Sequence, residues 1–82
     1  GEDGMKLSDA DRHTQFWQDQ SYAAAGEDPD LQAAMAAVMA SLYTEDGGNT
    51  RPEVIARQVA ALAKTEEGRA KIYAAANQYA GG

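Results

Sequence analysis

The sequence predicts an all-α fold, a compact bundle of three to four short helices. Eighteen of the 36 apolar residues are alanine, the strongest helix former because it loses no side-chain entropy. Start and stop signals divide the 82 residues into segments of helical length, and no segment shows the alternating pattern of a strand. Leucine, isoleucine, valine and phenylalanine together number only ten, so we expect a thin core.

The first two helices are predicted from the residues at their ends. Helix one is predicted over Ser8–Ala25, with Gly26 as its stop. Asp28 can cap helix two, and Pro29 fits its first turn, where a missing N–H costs nothing. An apolar stripe at spacings of three and four extends helix two to about Tyr43. The short link between the two helices predicts an antiparallel hairpin.

The second half of the chain is predicted to form one or two helices. Thr50–Glu53 has the form of a capping box that opens helix three. Thr65 can cap a fourth helix over Glu66–Ala80, or a single long helix can run over Pro52–Tyr79 with a weak point at Gly68. We favour a break at Lys64–Thr65, because a continuous helix would contain Gly68, and glycine costs about 1 kcal/mol relative to alanine inside a helix.

Composition predicts a single domain and leaves the redox compartment undetermined. Residues 1–7 are predicted to be a flexible N-terminal segment or an expression remnant, and residues 8–82 a single helical domain. With no cysteine there is no disulfide or thiolate chemistry. No apolar run approaches the roughly 20 residues that cross a bilayer, and the N-terminus lacks a basic signal-peptide region. We expect a soluble chain, with the cytoplasm favoured.

No motif in the sequence predicts catalysis, a cofactor or a metal. His13 is the only histidine, and Asp9 at i−4 is the nearest carboxylate that could share its helix face, so we interpret His13 as a structural residue and not as a metal ligand. The serines lie at helix ends, without a nucleophile elbow. Asp46–Thr50 is interpreted as an interhelical turn, because the ligand spacing of a calcium loop is absent. The chain is therefore predicted not to be an enzyme.

Charge is the most informative surface feature. The formal net charge is −6, and most acids lie in the first half of the chain. An antiparallel hairpin would return the end of helix two to the start of helix one. Six acids would then gather at one pole, namely Glu2, Asp3, Asp9, Asp11, Glu45 and Asp46. The candidate partner-binding residues are four acids of this pole and one aromatic residue, namely Asp9, Asp11, Glu45, Asp46 and Trp17.

Trp17 is included because of its neighbour Phe16. Adjacent residues on a helix point about 100° apart, so both rings can be buried only if helix one is covered on two sides. One of them is therefore a candidate anchor. The predicted function is a small acidic, non-catalytic module that acts by protein–protein interaction, of an immunity, antitoxin or regulator-binding type. The predicted partner is a protein, with a basic partner and a homodimer both open.

Two alternative functions are kept. The segments Asp30–Tyr43 and Pro52–Ile72 resemble the antibiotic-binding helical domain of TipA-type regulators. This resemblance implies capture of a small molecule between helices. The paired His-Arg of that family is missing, since Ala36–Ala40 stand there, and Gly68 lies where an aromatic residue is usual. The third alternative is a weak helix-turn-helix DNA-binding regulator, although the net negative charge makes nucleic acid an unfavourable partner.

Overall fold

A computed structural model of the chain describes residues 13–81. Over this range the chain forms four α-helices and no strand. The helices are α1 (Thr14–Ala25), α2 (Pro29–Glu45), α3 (Pro52–Leu62) and α4 (Glu66–Gly81). The all-α prediction is confirmed. Helix α1 is described from Thr14, and the predicted start of helix one at Ser8 lies outside the described residues.

Helices α1 and α2 form the antiparallel hairpin that the short link predicts. The ring centroids of His13 and Tyr43 are 5.0 Å apart, which brings the start of α1 to the end of α2. At the other end, Asp28 accepts a hydrogen bond from the Leu31 amide at 3.1 Å, as predicted for the cap of α2. Gly26 ends α1 with a φ of 69°, a conformation that L side chains rarely adopt.

The core is assembled around α2. This helix contacts all three others, and it supplies half of the buried apolar side chains. The other helices each add a few residues, so the core is thin, as expected from the composition. The buried apolar residues are Trp17, Leu31, Ala34, Met35, Val38, Met39, Tyr43, Ile55, Ala56, Val59, Ala63 and Ile72.

The turn between α2 and α3 differs from the prediction at one point. Gly47 and Gly48 have φ values of 69° and 78°, so this segment is the predicted interhelical turn. The capping-box prediction is wrong, because Arg51 is the N-cap residue of α3 and makes no side-chain cap. The Asp46 carboxylate instead accepts a hydrogen bond from the amide of Thr50, which holds Thr50 in the turn.

Helices α3 and α4 are separate, and the turn between them includes Lys64–Thr65, as favoured from the sequence. Gly68 lies inside α4 and does not interrupt it. The Thr65 hydroxyl accepts a hydrogen bond from the Gly68 amide at 2.9 Å and caps α4. Gly68 is buried inside the first turn of α4, where a Cβ atom would lie 1.8 Å from the Leu62 carbonyl oxygen. The glycine therefore permits close approach of the α4 backbone to the end of α3.

Candidate functional site

The structure places two of the four predicted acids at the end of α2. Glu45 is the last residue of the helix and is exposed, and Asp46 follows it and is half-buried. Asp9 and Asp11 lie outside the described residues. The hairpin geometry behind the predicted pole is confirmed, whereas the gathering of all four acids stays a prediction.

Asp46 has a structural role that the sequence did not reveal. Its carboxylate accepts from the Thr50 amide, and its backbone oxygen accepts from the Asn49 side-chain amide at 2.8 Å. Neutralising Asp46 therefore also acts on the turn before α3. An asparagine keeps an acceptor oxygen at this position, so Asp46→Asn is the substitution that removes charge with the least structural cost.

Trp17 lies in the core rather than on the surface. Its side chain is 2% exposed, and its ring centroid lies 5.5 Å from that of Phe16 and 5.8 Å from that of Tyr43. Phe16 is half-buried against the same core. The indole N–H has no hydrogen-bond partner among the described residues. This position supports the fold, and the prediction that Trp17 binds a partner stays untested.

The most exposed large apolar side chain of the described residues is Tyr22, at 57%. It borders a groove of about 560 Å³ between α1 and α2, which we call the Tyr22 groove. The lining residues are Gln15, Gln18, Asp19, Tyr22, Pro29, Gln32, Ala33 and Ala36. Tyr22 was not among the partner-binding residues predicted from the sequence. A signal was present, because Tyr22 lies about 140° around the helix from the buried Trp17.

Charge divides between the two helix pairs. Residues 13–50, which contain α1 and α2, carry six acidic side chains and no lysine or arginine. Residues 51–81, which contain α3 and α4, carry five lysines and arginines and three acids. We call α1, α2 and their connection the acidic hairpin. The excess of acidic residues thus lies in one pair of helices, and the excess of basic residues lies in the other pair. The two halves of the sequence do not by themselves establish this.

The structure of α3 and α4 gives little support to the helix-turn-helix alternative. Glu66 and Glu67 occupy the first turn of α4, where a recognition helix would approach the phosphates and bases of DNA. Arg69 donates a hydrogen bond to the Ala63 carbonyl oxygen at 2.8 Å and so binds the turn of its own chain. DNA binding stays a prediction that this surface does not favour.

Two tyrosines of α4 lie near acids of the acidic hairpin. The pKa of Tyr79 is raised above 10.0 by a hydrogen bond to Glu45, then by burial and by the Glu45 charge. The pKa of Tyr73 is raised by desolvation and by the charges of Asp28 and Asp30, against an opposing effect of Arg69. Helix α4 therefore lies along α2, with Tyr73 towards its start and Tyr79 towards its end.

We expect the Tyr79 hydroxyl to contribute stability that alkaline pH removes. The folded pKa is higher than the ordinary value of 10.0, so the contribution is present below about pH 10 and is lost as pH rises through the folded pKa. The free energy of unfolding of the wild type should exceed that of Tyr79→Phe at neutral pH. The difference should shrink above pH 10, as measured by urea denaturation at each pH.

A matched control for this prediction is Glu45→Gln, which keeps an acceptor oxygen and removes the charge. This variant should lower the pKa of Tyr79, which titration of tyrosinate absorbance measures, with Tyr79→Phe identifying the component to be followed. A wild-type advantage over Tyr79→Phe that stays constant through the alkaline range would contradict the assignment.

The described residues show neither a metal cluster nor a membrane-spanning helix. Among the described residues there is no group of three or more His, Cys, Asp or Glu side chains arranged to hold a metal ion. No described helix has both the length and the apolar character needed to cross a bilayer.

No protein-family model, curated protein or solved structure matches this chain. Three features of the described residues bear on function, namely the closed core, the Tyr22 groove and the charge of the acidic hairpin.

Proposed function

We propose that this chain is a non-catalytic helical module that acts by binding a protein partner, of an immunity, antitoxin or regulator-binding type. The observation that carries the proposal is the contrast between a closed core and an exposed aromatic side chain. Met35 and Met39 are 0% exposed and Trp17 is 2% exposed, whereas Tyr22 is 57% exposed. Tyrosine is among the residues enriched in protein interfaces and in their binding hot spots.

The closed core argues against the small-molecule alternative. A ligand held between helices would need a cavity lined by the large apolar residues of the bundle. Met35, Met39 and Trp17 are instead packed in one core with Ile72 from α4. The grooves found between described residues lie on the outside of the bundle and are open to solvent.

The charge favours a basic partner. The net charge is −6, and the acidic hairpin contains no lysine or arginine. Acidic surfaces attract complementary basic surfaces and accelerate their association, and salt screens this attraction. Binding that weakens with added salt is therefore expected of the partner.

The test is affinity capture from native-host extract at low and high salt, with bound proteins identified by mass spectrometry. The bait proteins are the wild type, the double variant Glu45→Gln and Asp46→Asn, and a control with Glu66→Gln and Glu67→Gln. Both doubles remove the same charge, but the control removes it from the first turn of α4. Thermal unfolding of each bait checks that it remains folded.

We expect one protein to be recovered at low salt by the wild type and the control, and about ten-fold less by the Glu45 and Asp46 double variant. High salt should reduce recovery by the wild type. If all three baits recover the same proteins equally at both salt concentrations, the end of α2 is ordinary solvated surface. If no protein is recovered specifically by the wild type, the proposed function is wrong.

A further inference from the structure

We propose that the Tyr22 groove receives an amphipathic α-helix of a partner protein that carries lysine or arginine beside its apolar face. This inference rests on the proposed function and names the surface and the chemistry of the partner. It concerns the outer face of the acidic hairpin, away from Glu45 and Asp46 at the end of α2.

The shape of the groove suits a helix. Its α2 side is formed by Pro29 and Gln32 together with two alanines, Ala33, which is exposed, and Ala36, which is half-buried. Small side chains let a second backbone approach closely, and two antiparallel helices leave a straight channel between them. The buried residues of α2, among them Met35 and Val38, pack in the core with residues of α3 and α4. Ala33, on the side of α2 away from these core residues, is exposed within the described part of the chain.

The walls supply one anchor and several polar groups. Tyr22 offers a large ring beside the alanine floor, and it loses little conformational freedom when it is bound. Gln15 donates to the Asp19 carboxylate at 2.9 Å, and Gln32 donates to the Gly26 carbonyl oxygen at 2.6 Å. These bonds hold the polar rim in place before a partner arrives. Pre-organisation of this kind lowers the entropic cost of binding.

The acidic residues in and beside the Tyr22 groove indicate which kind of partner would bind there. Asp19 is the one charged residue among those that line the groove. Glu27, Asp28 and Asp30 flank Pro29 at one end, and residues 13–50 supply no cation. A second copy that used the same groove would oppose acid to acid, which is unfavourable. A helix with basic residues along its apolar face would instead meet complementary charge on the rim.

The test is an NMR titration of the isotope-labelled full chain with a synthetic helical peptide of about 18 residues, or five turns. The peptide has leucine on one face and arginine on both flanks of that face, and its twin has glutamate in place of arginine. We expect amide shifts confined to the groove residues with the arginine peptide, no binding of the glutamate twin, and weaker binding at high salt.

Variants make the assignment specific. Tyr22→Ala should weaken peptide binding at least about ten-fold, as expected for an anchor residue. Tyr73→Ala is the matched control, because it removes another exposed tyrosine, 36% exposed, from α4, and it should leave binding unchanged. Asp19→Asn should weaken binding at low salt and have little effect at high salt.

Four results would overturn the assignment: shifts centred outside the groove, equal binding of the glutamate twin, unchanged affinity of Tyr22→Ala, or a dimer that Tyr22→Ala dissociates in sedimentation. The last result would assign the groove to a second copy. If affinity capture yields a salt-sensitive protein that wild type and Tyr22→Ala bind equally, only the groove assignment fails. If capture yields no partner, the proposed function fails instead.

Discussion

Replacing Gly68 with alanine is expected to lower the free energy of unfolding by about 2–4 kcal/mol. Helix propensity alone predicts the opposite, a gain of about 1 kcal/mol, because alanine is the better helix former. Steric overlap decides whether the free energy of unfolding falls or rises. A Cβ atom at this position would lie 1.8 Å from the Leu62 carbonyl oxygen and 2.6 Å from its carbonyl carbon. These are backbone atoms, so α3 and α4 would have to move apart. Urea denaturation followed by circular dichroism measures the loss.

The control for Gly68 is Ala74→Gly, at an exposed position in the same helix. It should cost about 0.5–1 kcal/mol, which is the propensity difference without a steric contribution. If Gly68→Ala proves as stable as the wild type or more stable, then α3 and α4 do not approach each other as closely as the structure shows.

Replacing Trp17 with alanine is expected to cost about 3–5 kcal/mol, the largest effect of any single side chain in α1. Trp17 is 2% exposed and is the largest of the fully buried side chains. It contacts the Tyr43 ring on α2, so its removal opens a cavity between the two helices of the acidic hairpin. Small domains have total stabilities near 5 kcal/mol, so we expect Trp17→Ala to be largely unfolded by circular dichroism at room temperature.

Two matched variants separate burial from chemistry at this position. Trp17→Phe keeps most of the apolar volume and removes an indole N–H that has no hydrogen-bond partner among the described residues, so it should cost less than half as much as Trp17→Ala. Phe16→Ala removes a half-buried neighbour and should fall between the two. Equal costs for Trp17→Ala and the exposed Tyr22→Ala would show that Trp17 is not a core residue.

These two predictions bear on the proposed function because they concern the same hairpin. Trp17 holds α1 against α2 from the inside, and Tyr22 presents its ring on the outside of the same helix. A loss of partner binding in Trp17→Ala would therefore report unfolding, whereas a loss in Tyr22→Ala would report the contact itself. Comparison of thermal unfolding with affinity for each variant distinguishes the two causes.

The sequence by itself determined the features that depend on neighbouring residues. The Asp28 cap, the Thr65 cap and the glycine turn at residues 47 and 48 are all present as predicted. Each results from interactions within about four residues, or from the φ preference of glycine, so the local residue pattern is sufficient to predict them. The net charge of −6 is likewise a property of composition alone.

Only the tertiary structure decided which aromatic ring is buried and what Gly68 does. Trp17 and Tyr22 are both large apolar residues of α1, and burial depends on which side of α1 the other helices cover. Gly68 reads as a helix breaker in sequence, but its role depends on Leu62, which approaches it across a turn. The Tyr22 groove is likewise formed by residues of both α1 and α2. These features depend on contacts between helices, which local propensity does not specify.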